Sequence, residues 1–189
     1  MATKFHTYST QEATNIIARR AAIRVTPTIT GVQYANNDVL FDTTEIPNAV
    51  AYNGGASELK NITINSKSAS LFDCILWFFQ TDQSAGIVNG AWNMSDGDFA
   101  TAKNLGCIYL DGDNLQQNPG GGRVYTVMQG YKAFPSATKT NPQLPLILQA
   151  EDDSTSVYMA AKVQSEDDPG NTTPSFSVGD IEVVLGINY

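Results

Sequence analysis

Residues 180–187 read Asp180-Ile181-Glu182-Val183-Val184-Leu185-Gly186-Ile187. Ile181, Val183, Leu185 and Ile187 recur at every second position, with Asp180, Glu182, Val184 and Gly186 between them. Side chains of a strand point alternately to opposite faces, so this segment is a strand with one face in a core. The same period runs through Val157, Met159, Ala161 and Val163, and through the stretch 23–30 around Pro27. Proline cannot donate to a ladder, which makes 23–30 an edge strand.

Further strands are expected near 38–42, 48–53, 59–65, 70–79, 106–110, 123–131, 145–150, 156–164 and 178–188. Turn chemistry separates them: Gly54-Gly55, Asn118-Pro119-Gly120-Gly121-Gly122, Glu151-Asp152-Asp153-Ser154 and Asp167-Asp168-Pro169-Gly170-Asn171. Leu71-Phe72-Asp73-Cys74-Ile75-Leu76-Trp77-Phe78-Phe79 is apolar on both faces. Such a strand is central and sandwiched, or has one face in a subunit interface. Many short strands punctuated this way predict a mainly β, antiparallel sandwich or jelly roll in one domain.

Two helices are expected. Ser9 and Glu12 have capping-box spacing before a weak apolar face of Ala13, Ile16, Ile17 and Ala21, predicting a short helix over 10–21. Ser95 and Asp98 cap a second over about 95–105, with Phe99, Ala102 and Leu105 on one side and Gly106 at its end. The reading divides the chain into a basic N-terminal arm, 1–24, and a sandwich domain, 25–189.

Charge bounds the function. The formal net charge is -8, but residues 1–24 hold Lys4, Arg19, Arg20 and Arg24 against Glu12, a net of +3 on a remainder of -11. An acidic body repels phosphates, which excludes direct nucleic-acid binding by the bulk of the domain. The basic arm is complementary to an acidic region of a neighbour or of another copy. Only 16% of residues are charged, Asn, Gln, Ser and Thr filling the gap. Such a surface suits life packed against neighbours or outside cells. No apolar run approaches the ~20 residues of a membrane span, and no signal-peptide pattern opens the chain. Synthesis in a cytoplasm is expected.

Catalytic and metal chemistry find few residues. The only histidine is His6, outside the expected core, so a Ser-His-Asp or Cys-His arrangement has no base there. Cys74 and Cys107 stand 33 residues apart in apolar runs, read as buried reduced thiols. Asp111-Gly112-Asp113-Asn114 opens like a calcium loop, but Leu115 and Gln116 occupy the positions an EF-hand gives to Asp or Asn and Gly. The acidic groups Asp111/Asp113, Glu151/Asp152/Asp153 and Glu166/Asp167/Asp168 read as solvated turns rather than the facing carboxylates of a glycosidase. No cofactor, metal or catalytic residue is assigned, and a non-enzymatic role is expected.

A family pattern joins these pieces. The turn and strand from Ala49-Val50-Ala51-Tyr52-Asn53-Gly54-Gly55 to Ile62-Thr63-Ile64 resemble those of small virion structural proteins of tailed bacteriophages. So do the aromatic strand and acidic turn Asp73-Cys74-Ile75-Leu76-Trp77-Phe78-Phe79-Gln80-Thr81-Asp82, the short helix from Met94 to Gly106, and the closing strand 180–187. The likeness spans 33–188 in order; the basic N-terminal segment and Gly120-Gly121-Gly122 have no counterpart in it. It implies a virion component of the capsid cement or decoration type, a homo-oligomer partnered with the major capsid protein or other virion subunits. The contact residues expected are Phe5, Tyr8, Ile16, Ile17, Arg19, Arg20 and Arg24 in the arm, and Trp92 in the loop 85–92. The rival reading is a carbohydrate- or receptor-binding module on a tail, fibre or particle surface, with Trp92 lying flat against a sugar.

Overall fold

The computed structural model describes residues 20–128, 144–164 and 173–189. They form two packed antiparallel sheets, a β-sandwich. The strands are β1 (Arg20–Val25), β2 (Val39–Ile46), β3 (Ala56–Ser66), β4 (Cys74–Phe79), β5 (Asn104–Leu110), β6 (Gln116–Gln117), β7 (Arg123–Met128), β8 (Leu146–Gln149), β9 (Val157–Val163) and β10 (Ile181–Asn188). Helix α1 (Asp96–Thr101) lies between β4 and β5, and the single turn α2 (Gly112–Leu115) between β5 and β6. The six-stranded sheet runs β1-β10-β3-β7-β6, with β8 also beside β3; the four-stranded sheet runs β2-β9-β4-β5.

The alternation in β10 gives the expected result: Ile181, Val183, Leu185 and Ile187 are buried. They face Leu76, Phe78, Met159, Ala161 and Val163 of the other sheet within one core. An aromatic knot closes that core, with Phe72 edge-on to Tyr125 at 4.8 Å and to Phe176 at 5.1 Å, and Phe176 in turn edge-on to Tyr34. Edge-to-face rings set the positive rim of one against the negative face of the next.

β3 breaks the period and shows how sheets absorb such a break. Leu59 and Ile62 are both buried although three positions apart. Leu59 pairs with Ile187 and Asn61 with Gly186, which leaves Lys60 as an extra residue in a bulge. Gly186 has no Cβ, and the Asn61 side chain occupies the space one would need.

Four expectations change. β1 begins at Arg20 and pairs through Val25 with β10, so Arg20 to Arg24 belong to the sheet rather than to an arm, and the helix expected over 10–21 does not reach Arg20. Residues 10–19 lie outside the described residues. The strand expected over 23–30 ends at Val25, two residues before the donor-less Pro27. No strand forms over 48–53, because Pro47 lacks a donor and Asn48 takes a left-handed φ of 54°, turning the chain. The second helix stops at Thr101; Lys103 at φ 50° redirects the chain, and Leu105 and Gly106 enter β5 instead.

α1 is capped where expected, and the cap is a capping box. The Ser95 hydroxyl accepts from the Asp98 N–H, and the Asp98 carboxylate accepts from the Ser95 N–H at 2.8 Å. These bonds from the Ser95 N–H and hydroxyl hold the Asp98 carboxyl below its ordinary value. A depressed carboxyl contributes stability that is present above the unfolded value, about 3.9, and lost as pH falls through the lower folded one. An NMR titration is expected to place the Asp98 midpoint below the ordinary aspartate value of about 3.9. A midpoint at or above that value would contradict the cap.

Candidate interaction surface

The outer face of the six-stranded sheet follows from strand register. Ala22, Gly186, Asn61 and Met128 form one row across β1, β10, β3 and β7; Arg24, Val184, Thr63 and Thr126 form the next. Arg20, Asn188, Glu58 and Ile147 make a third, at the end where β3 starts and β10 finishes. None of these twelve residues is buried, and no described segment lies over them. Met128 is 63% and Ile147 54% exposed.

Small residues and the bulge hollow this face. Arg20, Ala22, Lys60, Asn61, Gly186 and Asn188 line a groove of about 590 Å³. A shallower depression of about 210 Å³ adjoins it through Asn188, bounded by Glu58, Ile147 and Tyr189. Lys60 pairs with Glu58 at 2.7 Å, and Arg24 with Glu182 at 2.9 Å. The Asn65 amide, bonded at 2.8 Å, is the main cause holding the Glu182 carboxyl below its usual range, with Arg24 adding to it. Among the described residues Arg20 has no ion pair.

The opposite outer face is different, because the chain covers it itself. Trp77 and Phe79 of β4 point away from the main core into a second cluster with Ala85, Trp92, Met94, Phe99, Ala102, Tyr158 and Ala160. Trp77 meets Phe99 at 4.9 Å and Trp92 at 6.4 Å. The segment 80–103, carrying α1, thus covers the second apolar face of the aromatic strand. Of the two readings of 71–79, central and sandwiched describes β4, which lies between β9 and β5. Trp92 is half-buried in this cluster, and the Trp77 indole N–H is buried without an acceptor among the described residues. Acidic side chains surround the cluster: Glu45, Asp82 and Asp153 reinforce the burial that raises the Tyr158 pKa.

The acidic turns divide by burial. Asp111 is buried rather than solvated. It lies next to Asp73, whose carboxylate accepts from the Gly112 N–H at 2.6 Å and from the Tyr109 hydroxyl at 3.2 Å. Burial first, and the Asp73 charge second, raise the Tyr109 pKa, keeping the phenol a donor. The segment that opens like a calcium loop is therefore the start of a helical turn tied to β4. Among the described residues no three His, Cys, Asp or Glu side chains come together to hold a metal. Asp152 and Asp153 are exposed, as a solvated turn requires, while Glu151 is half-buried and paired with Lys103 at 2.6 Å. Residues 166–168 lie outside the described residues.

Cys74 is fully buried in the core, and Cys107 is only half-buried. Cys74 points inward, whereas Cys107 pairs with the outward-facing Trp77. The two sulfurs lie on opposite sides of one sheet and cannot join within a chain. Burial raises both thiols, Cys74 the more. A thiol reagent on the native protein is expected to modify Cys107 slowly and Cys74 only on unfolding. Equal rates would contradict this placement.

Phe5, Tyr8, Ile16, Ile17 and Arg19 lie outside the described residues. Arg20 and Arg24 sit on the open six-stranded face and Trp92 outside the four-stranded sheet, so the structure does not bring these three together. Lys60, Asn61, Asn188, Met128 and Ile147, which complete the open face, were not singled out in the sequence; the broken period at Leu59 and Ile62 was the available signal. No helix among the described residues is long and apolar enough to cross a membrane. Compared with protein-family models, with curated proteins and with solved structures, the chain matches none.

Proposed function

We propose that this chain is a non-enzymatic structural protein of a bacteriophage virion, of the capsid cement or decoration type, which stabilises the shell by bridging neighbouring capsid subunits as a homo-oligomer. The observation supporting this most is the open face of the six-stranded sheet: twelve unburied residues in register, with Met128 and Ile147 exposed. Contact burial contributes roughly 25 cal/mol per Å² before ordering costs, and a lattice repeats that gain at every site. Such a protein is made in the host cytoplasm and works in the virion, without a cofactor. Its basic N-terminal residues supply a second contact. The test is deletion of residues 1–19, which stops short of β1. The truncated protein is expected to keep its fold and to decorate particles at reduced occupancy. Full occupancy would remove the tether from the reading, and unfolding would make the segment part of the body.

The rival reading, a carbohydrate- or receptor-binding module, draws on the half-exposed Trp92 and Tyr158. A glycan array separates the two: reproducible sugar binding that Trp92→Ala abolishes would favour it over cement.

A further inference from the structure

One end of the sandwich carries both signs of charge on separate surfaces. The end where β3 starts, β10 finishes and β1 begins holds the groove with Arg20 and Lys60. β8 pairs with that same start of β3, Gln149 opposite Ala56, and runs directly into Glu151-Asp152-Asp153. The acidic turn is held in place: the Gly54 N–H donates to the Glu151 carbonyl at 2.9 Å and the Ser154 carbonyl at 3.1 Å, and the Asn53 amide donates to the Asp153 carbonyl at 3.2 Å. Asp152 and Asp153 are exposed, and so is Tyr52, at 68%, which precedes the Asn53 and Gly54 that hold the turn.

We infer that this end is a self-association surface, in which the groove of one copy takes the Asp152-Asp153 turn of a second copy and the exchange is reciprocal about a two-fold axis. This assigns an interface to the homo-oligomer of the proposed function and rests on that part of it alone.

Three observations carry the choice of a second copy. The groove offers the Arg20 guanidinium, which has no ion pair among the described residues, the Asn61 amide, and the Lys60 ammonium, which is paired with Glu58 at 2.7 Å and keeps further N–H donors for a second carboxylate. The exposed carboxylate pair Asp152 and Asp153 sits on the same end, so a two-fold operation brings each patch to its complement at once. Ile147, which bounds the depression adjoining the groove, and Tyr52, which precedes the Asn53 and Gly54 that hold the acidic turn, are both exposed and supply the apolar contact that surface ion pairs by themselves do not.

Other occupants fit less well. A nucleic acid reaching this end of the sandwich would also set its phosphates against the acidic turn. A sugar would find no aromatic ring among the described residues that line the groove. Extension of the sheet through the β1 edge would bring Arg20 and Arg24 of both copies together, and facing like charges oppose such pairing.

The test is a charge swap on the full chain, read by sedimentation velocity. R20E/K60E makes groove and turn both acidic, and D152K/D153K makes both basic; each is first checked for a native circular dichroism spectrum. The wild type is expected to dimerise, more weakly at higher salt. Each double variant is expected to lose about tenfold or more in association. Their equimolar mixture, in which both junctions are again complementary, is expected to recover it. A wild type that stays monomeric up to about 0.1 mM, variants that dimerise like it, or a mixture that fails to recover would each overturn the inference. Occupancy on particles is measured separately. A monomer that still decorates a shell sinks this interface and leaves the cement reading standing, whereas a dimer absent from every particle does the reverse.

Discussion

Phe72→Ala is expected to lower the free energy of unfolding by about 3–5 kcal/mol, the range for losing a buried aromatic side chain. Phe72 is fully buried and lies edge-on to both Tyr125 and Phe176. Those partners belong to β7 of the six-stranded sheet and to the segment leading into β10, while Phe72 leads into β4 of the other sheet. Its ring therefore joins the sheets at one end of the core. The residual cavity would be walled by Tyr125, which is also fully buried and whose hydroxyl donates to the Ser70 carbonyl. That bond restrains the ring from collapsing into the space, which places the cost toward the upper part of the range. Chemical denaturation at unchanged m-value measures it. A loss under about 1 kcal/mol would mean that the knot is not packed as described.

The second large effect is expected at Asp73. Asp73→Ala removes the acceptor for two buried donors, the Gly112 N–H and the Tyr109 hydroxyl. A buried donor left without a partner costs about 1–3 kcal/mol, so the variant should lose roughly 2–4 kcal/mol. Asp73→Asn keeps an oxygen for one donor and turns an amide toward the other, and should fall between alanine and wild type. The loss has a local signature, because Gly112 begins α2 and has no room for a Cβ beneath the Phe72 carbonyl oxygen. Amide exchange at 112–115 should accelerate more than exchange in β10. Uniform acceleration across both would contradict a local role for the carboxylate.

These two sites show what was legible in the sequence. Strand positions were readable wherever one face was apolar and the other polar, as in β9 and β10, because burial on one side imprints period two on the chain. The sandwich followed from the succession of such strands. Asp73 was not legible: it stands third in the run 71–79, which read as one apolar strand, and only the return of the chain at Gly112 shows what it binds. The covering of Trp77 and Phe79 was only half legible. Their outward apolar face required a cover, but sequence could not decide between a second subunit and the chain's own segment 80–103. On the open face, Arg20 and Arg24 were marked by charge, yet their strand was expected to begin at Ile23, because Ala21 and Ala22 fit a helix and a strand equally well. The groove was hidden for another reason. It depends on a bulge that pairs Asn61 with Gly186, a long-range relation that no local pattern reports.

Electron microscopy of purified particles from the protein's source tests the central claim most directly. The expected result is sandwich-shaped density at the boundaries between capsid subunits, with the open face of the six-stranded sheet against the shell. Particles that lack the chain altogether, or that hold it with that face turned wholly to solvent, would contradict it.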